Sequence, residues 1–88
     1  MRYVYTRHAE EKLRETEPKR LHITKKLISK ILDTPDAIDM SDEPVRIAMG
    51  KLSSHHTLCI VYRYEENVVR IITFFPARKG RYESKVLS

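Results

Sequence analysis

Val68-Val69-Arg70-Ile71-Ile72-Thr73-Phe74-Phe75 is the stretch on which the fold turns. Apart from Arg70 and Thr73 it is apolar at odd and even positions alike, so a strand here has two apolar faces and belongs in the middle of a sheet. Pro76 is the expected end of that strand. Upstream, Thr57–Tyr64 has the same β-prone composition, and Glu65-Glu66-Asn67 supplies a tight turn between the two. Further back, Val45, Ile47 and Met49 alternate with Arg46, Ala48 and Gly50, which is strand patterning. Ala37-Ile38-Asp39-Met40 reads as a short additional strand, followed by a turn over Ser41–Pro44.

Before residue 35 the period changes from two to 3.6. Ile23, Leu27, Ile28, Ile31 and Leu32 form one apolar stripe at helical spacing. Thr24 is placed to cap that helix, Ile23 can staple against Ile28, and Asp33-Thr34-Pro35 stops it. Residues 2–5 alternate as a first strand, and Thr6 can cap a helix beginning at Arg7. On that helix Ala9 and Leu13 share a face and Glu10 and Arg14 form an i,i+4 pair, with Pro18 ending it in a polar connection, Glu17-Pro18-Lys19-Arg20. The expected architecture is α+β: a short N-terminal strand, then two helices packed on one face of a three- to four-stranded antiparallel sheet.

The 88 residues suffice for one domain and one modest core. Hydrophobic residues make up 41% and charged residues 33%, a globular balance that argues against disorder. Seventeen Lys and Arg against twelve Asp and Glu leave a net charge of +5, an excess that attracts polyanions, of which nucleic acid is the commonest. The single cysteine, Cys59, excludes an internal disulfide framework. With no signal-like apolar opening and no stretch near the roughly 20 apolar residues a span requires, the expectation is a cytoplasmic protein with no membrane partner.

Chemistry-bearing residues are few. His55 and His56 are adjacent, point to opposite sides of an extended segment, and read as a solvated hairpin tip; no ligand set for a metal is apparent and no cofactor is implied. Two glycines cannot build a phosphate-cradling loop, and Cys59 lies between Leu58 and Ile60 as a buried thiol would. The basic tail is more informative. Arg78, Lys79, Arg81 and Lys85 surround Gly80 and Tyr82 directly after the last strand, a setting in which cations meet phosphates and an aromatic ring stacks on an unpaired base. Arg46, Arg63 and Arg70 sit on strands, and an arginine within an apolar strand either faces an open cleft or pairs with an acid. His8, in the first turn of the first helix, is either a proton acceptor or a histidine bonded to a backbone carbonyl.

Tyr5-Thr6-Arg7-His8-Ala9-Glu10-Glu11-Lys12-Leu13 resembles the His-Ala opening helix of a widespread group of small uncharacterised domains. Leu21-His22-Ile23-Thr24, Pro35-Asp36 and the ending from Ile71 through Arg78 to Tyr82 fall where that group places its second helix, its following turn and its last strand. The group is related in fold to the RelE/ParE superfamily of toxin–antitoxin toxins, and the tail is similar to RelE, in which basic residues and a catalytic tyrosine follow the last strand. The resemblance implies a metal-free endoribonuclease acting on mRNA, ribosome-bound or free, with an antitoxin protein as partner. Tyr82 then matches the family tyrosine and Arg78 and Arg81 its basic residues, with Arg70 and His8 as further catalytic candidates. Arg46, Arg63, Lys79 and Lys85 would contact RNA. This chain departs from RelE in a shorter, less lysine-rich first helical region, and the role of His8 is not inherited. A nonenzymatic nucleic-acid-binding module and a ParE-like toxin acting on a protein target are the alternatives.

Overall fold

The computed structural model describes residues 2–78, in the order β1 (Arg2–Tyr5), α1 (Arg7–Leu13), α2 (Thr16–Arg20), α3 (Lys25–Asp33), β2 (Ala37–Asp39), β3 (Arg46–Lys51), β4 (His56–Glu65) and β5 (Val68–Arg78). Capping sets the helix starts. Thr6 Oγ1 accepts from the Ala9 amide at 3.1 Å and Thr24 Oγ1 from the Leu27 amide at 3.2 Å, each satisfying an amide that the first turn leaves without a helical partner. α3 then buries Ile28 and Ile31 against the sheet.

Two expectations about the helices change. Among the described residues three helices form, and Pro18 lies inside the second of them, where it is buried. It occupies the first turn of α2, and a residue there has no intrahelical use for the N–H that proline lacks. That helix closes with His22 in the left-handed region at φ 59, the Ile23 amide reaching back to the Pro18 carbonyl and the His22 amide to the Lys19 carbonyl.

The sheet has five strands in the order β1-β5-β4-β3-β2, and it is mixed: β1 runs parallel to β5 while every other pair is antiparallel. The parallel pair, with α1, α2 and α3 between its two strands in sequence, replaces the expected all-antiparallel arrangement. β5 also runs past Pro76 to Arg78. β1 covers only Val68 to Ile71, so Pro76 lies where β5 has no strand neighbour on one side among the described residues, and its missing N–H removes no ladder bond there.

β5 reconciles its two apolar faces with a bulge. Val61 pairs with Thr73 and Tyr62 with Ile71, which leaves Ile72 as the extra residue. Val69 and Ile71 before the bulge, and Phe74 after it, therefore all reach one core with Ala9, Ile28, Ile31, Ala48, Leu58, Ile60 and Tyr62. On β3 the small residues face the helices. A Cβ added at Gly50 would fall 2.6 Å from Ile31 Cγ1, so α3 sits where only glycine admits it. Met49 and Cys59, opposite each other on the other face of the sheet, are fully buried as well. No helix among the described residues is long and apolar enough to cross a membrane.

Candidate nucleic-acid interface

The β4–β5 register brings His56 directly opposite Arg78. Both lie in a shallow cleft of about 580 Å³ with Ser54 and His55, at the end of the sheet from which the tail departs. The loop between β3 and β4 is held by Leu52 and Ser53 amides donating to the His56 carbonyl. Ser53 Oγ accepts from the His55 and His56 amides at 3.3 and 3.1 Å and lies 3.3 Å from His56 Nδ1. That contact orients the ring, and in the tautomer whose Nδ1–H donates to Ser53 the lone pair lies on Nε2, where it can accept a proton. The imidazole is thus anchored on one nitrogen and free on the other, as an acid–base group needs to be.

His8 is placed differently. Its Nε2 lies 3.2 Å from Thr73 Oγ1, and Lys12 Nζ donates to the same oxygen at 3.4 Å. The partner is a side-chain hydroxyl rather than a backbone carbonyl. Thr73 precedes Arg78 by five positions on β5, roughly 16 Å of strand. His8 and Arg78 therefore stand apart, whereas His56 and Arg78 line one cleft.

The three strand arginines are committed to acids. Arg63 and Arg70 face each other across the β4–β5 hairpin and share Glu65, at 2.5 and 2.7 Å. Those hydrogen bonds hold the Glu65 carboxyl below the usual carboxylate range. Arg46 pairs with Glu43 at 2.9 Å and lies 5.2 Å from the Tyr64 ring. All three sit toward the opposite end of β4 from His56, apart from the cleft it shares with Arg78. Lys79, Arg81, Tyr82 and Lys85 lie outside the described residues.

The hairpin-tip reading of His55 and His56 was right about the loop and missed its neighbour. Only strand register, which a bulge has shifted, reveals that Arg78 stands across from His56. Among the described residues no group of three or more His, Cys, Asp or Glu is arranged to hold a metal ion. The chain matches no family model, no curated protein and no solved structure.

Proposed function

We propose that this domain is a metal-free endoribonuclease of RelE-like type, the toxin of a toxin–antitoxin pair, with its reaction centre in the cleft shared by His56 and Arg78. The observation that carries the reading is that pair: an exposed arginine across the strands from an imidazole oriented by Ser53. His56 takes the proton of a 2′-hydroxyl, the oxygen attacks the adjacent phosphorus, and the P–O5′ bond breaks to leave a 2′,3′-cyclic phosphate. His55, lining the same cleft, supplies the proton to the departing 5′-oxygen. Arg78 stabilises the charge that builds on the phosphoryl oxygens. Arg81 and Tyr82, three and four positions further along the chain, are the next candidates for phosphate binding and base stacking. Each proton-transfer group typically contributes about 10²–10⁴-fold, so both histidines are needed for rapid turnover.

The test is incubation of single-stranded RNA in EDTA, with and without ribosomes, with wild type, His56→Ala, His8→Ala, Arg78→Ala and Tyr82→Ala. Cleavage that is lost in His56→Ala and Arg78→Ala but retained in His8→Ala supports the assignment. Cleavage retained in His56→Ala would remove it. Salt-sensitive RNA binding without cleavage would leave the nonenzymatic module, and the absence of both would shift the reading to a ParE-like protein target.

A further inference from the structure

The end of the molecule opposite the His56 cleft has a different chemistry. Residues 33–43, Asp-Thr-Pro-Asp-Ala-Ile-Asp-Met-Ser-Asp-Glu, carry five acids and no lysine or arginine, in a chain whose net charge is +5. They run from the last residue of α3 through the edge strand β2. Beside them, between the end of α3 and the sheet, lies a groove of about 370 Å³ whose walls include Tyr3, Leu32, Asp33, Ile38, Tyr62 and Tyr64. Ile38, Met40 and Tyr64 are the large apolar or aromatic residues left exposed among those described, at 38%, 53% and 49%; Ile38 and Tyr64 line the groove, and Met40 follows β2 directly.

The groove already displays how it treats a cation. The Arg46 guanidinium lies 5.2 Å from the Tyr64 ring, and Tyr62 braces that ring edge-on at 5.9 Å between centroids. Tyr64 nonetheless keeps half its surface open. Asp33 accepts a hydrogen bond from the Tyr3 hydroxyl through Oδ1, and a carboxylate has a second oxygen to offer. Arg46, Arg63 and Arg70 share this end with Glu43 and Glu65, yet with Asp33, Asp36, Asp39 and Asp42 the acids outnumber these arginines two to one. Beside the aromatic faces, they favour a cation flanked by apolar groups over a phosphate backbone.

We propose that this groove docks a basic, extended segment of a partner protein, with one cationic side chain on Tyr64 and Asp33 and apolar neighbours over Ile38 and Met40. The surface is separate from the proposed RNA site: His56 and Tyr64 are eight positions apart on β4, roughly 26 Å. An edge strand beside the groove suits an extended partner, because its outward backbone groups can pair with an added strand.

The experiment is fluorescence anisotropy with a labelled ten-residue peptide alternating arginine and valine, and a matched peptide with glutamate in place of arginine. Proteins are wild type, Tyr64→Ala, Asp33→Asn and Arg78→Ala, each checked for folding by circular dichroism. The expected result is binding of the arginine peptide alone, about 3- to 30-fold weaker in Tyr64→Ala, weaker also in Asp33→Asn, and unchanged in Arg78→Ala. Equal binding of both peptides, no binding by folded wild type, or binding unaffected by either groove substitution would overturn the proposal. Sedimentation of wild type beside Tyr64→Ala supplies the remaining arm: self-association abolished by the substitution would assign the groove to a second copy of the chain instead.

Discussion

Tyr5 is a residue placed for its ring rather than its hydroxyl. The ring packs against the core beneath Lys25, whose ammonium lies 4.8 Å from its centroid, while the buried hydroxyl finds no hydrogen-bond partner among the described residues. Burial pushes that phenol up to about 12. Removing an unsatisfied buried oxygen while keeping the ring relieves a desolvation cost, so Tyr5→Phe should raise stability by about 1 kcal/mol in urea unfolding. Gly50 makes the opposite case. Gly50→Ala puts a methyl group into Ile31, and overpacking of this kind costs about 1–3 kcal/mol, read as a lower unfolding midpoint with an unchanged slope. Neither effect is legible in the sequence. Tyr5 reads as an ordinary strand aromatic, and Gly50 as the weak position of an alternating strand, until the α3–β3 contact is known.

At the scale of elements, the β4–β5 hairpin is closed by Glu65, gripped by Arg63 and Arg70. Because the folded-state pKa of Glu65 is depressed, its contribution to stability is complete above the unfolded value of 4.5 and is lost as pH falls through the lower folded value. Glu65→Gln should therefore weaken the protein at neutral pH and flatten the acid-side fall of its melting temperature below about pH 4.5. Thermal melts across that range check the slope. The elements with local signals were legible: β1, the caps at Thr6 and Thr24, and the apolar stripe of α3 all lie where their residues indicate. Those decided by partners were not. The parallel pairing of β1 with β5 leaves no trace in local periodicity, and Pro76 ended the expected strand because its harmlessness depends on where β1 stops.

Over the whole molecule, chemistry is sorted along β4. Its first residue, His56, faces Arg78, and its last, Glu65, pairs with Arg63 and Arg70, which the sequence offered as an RNA contact and a catalytic candidate. RNA affinity should accordingly draw on the Arg78 end. The slope of log K against log salt should become shallower by about 0.7 in Arg78→Ala and stay unchanged in Arg63→Ala, measured by filter binding. The candidate site was half legible. Arg78 stood out as a cation after an apolar strand, whereas His56 was hidden because its neighbour comes from another strand. His8 stood out for its motif and its helix start, yet its contact is with Thr73.

The extra residue in β5 gives that strand something like a reading frame. Ile72 shifts the inward set from Val69 and Ile71 to Phe74, and it also decides that Arg78 stands across from His56. If Ile72 were instead paired with Val61, everything after it would be transposed: Phe74 would turn out of the core, and the cation would move off the imidazole. Deleting Ile72 alone keeps Ile71 opposite Tyr62 and Phe74 opposite Ile60, so that protein should still unfold cooperatively in urea, as should Ile72→Ala. Deleting Ile72 and Thr73 together puts Phe74 opposite Val61 and should abolish cooperative unfolding. A chain descended from this one could drop the residue at position 72 and keep its frame, but it could not drop two.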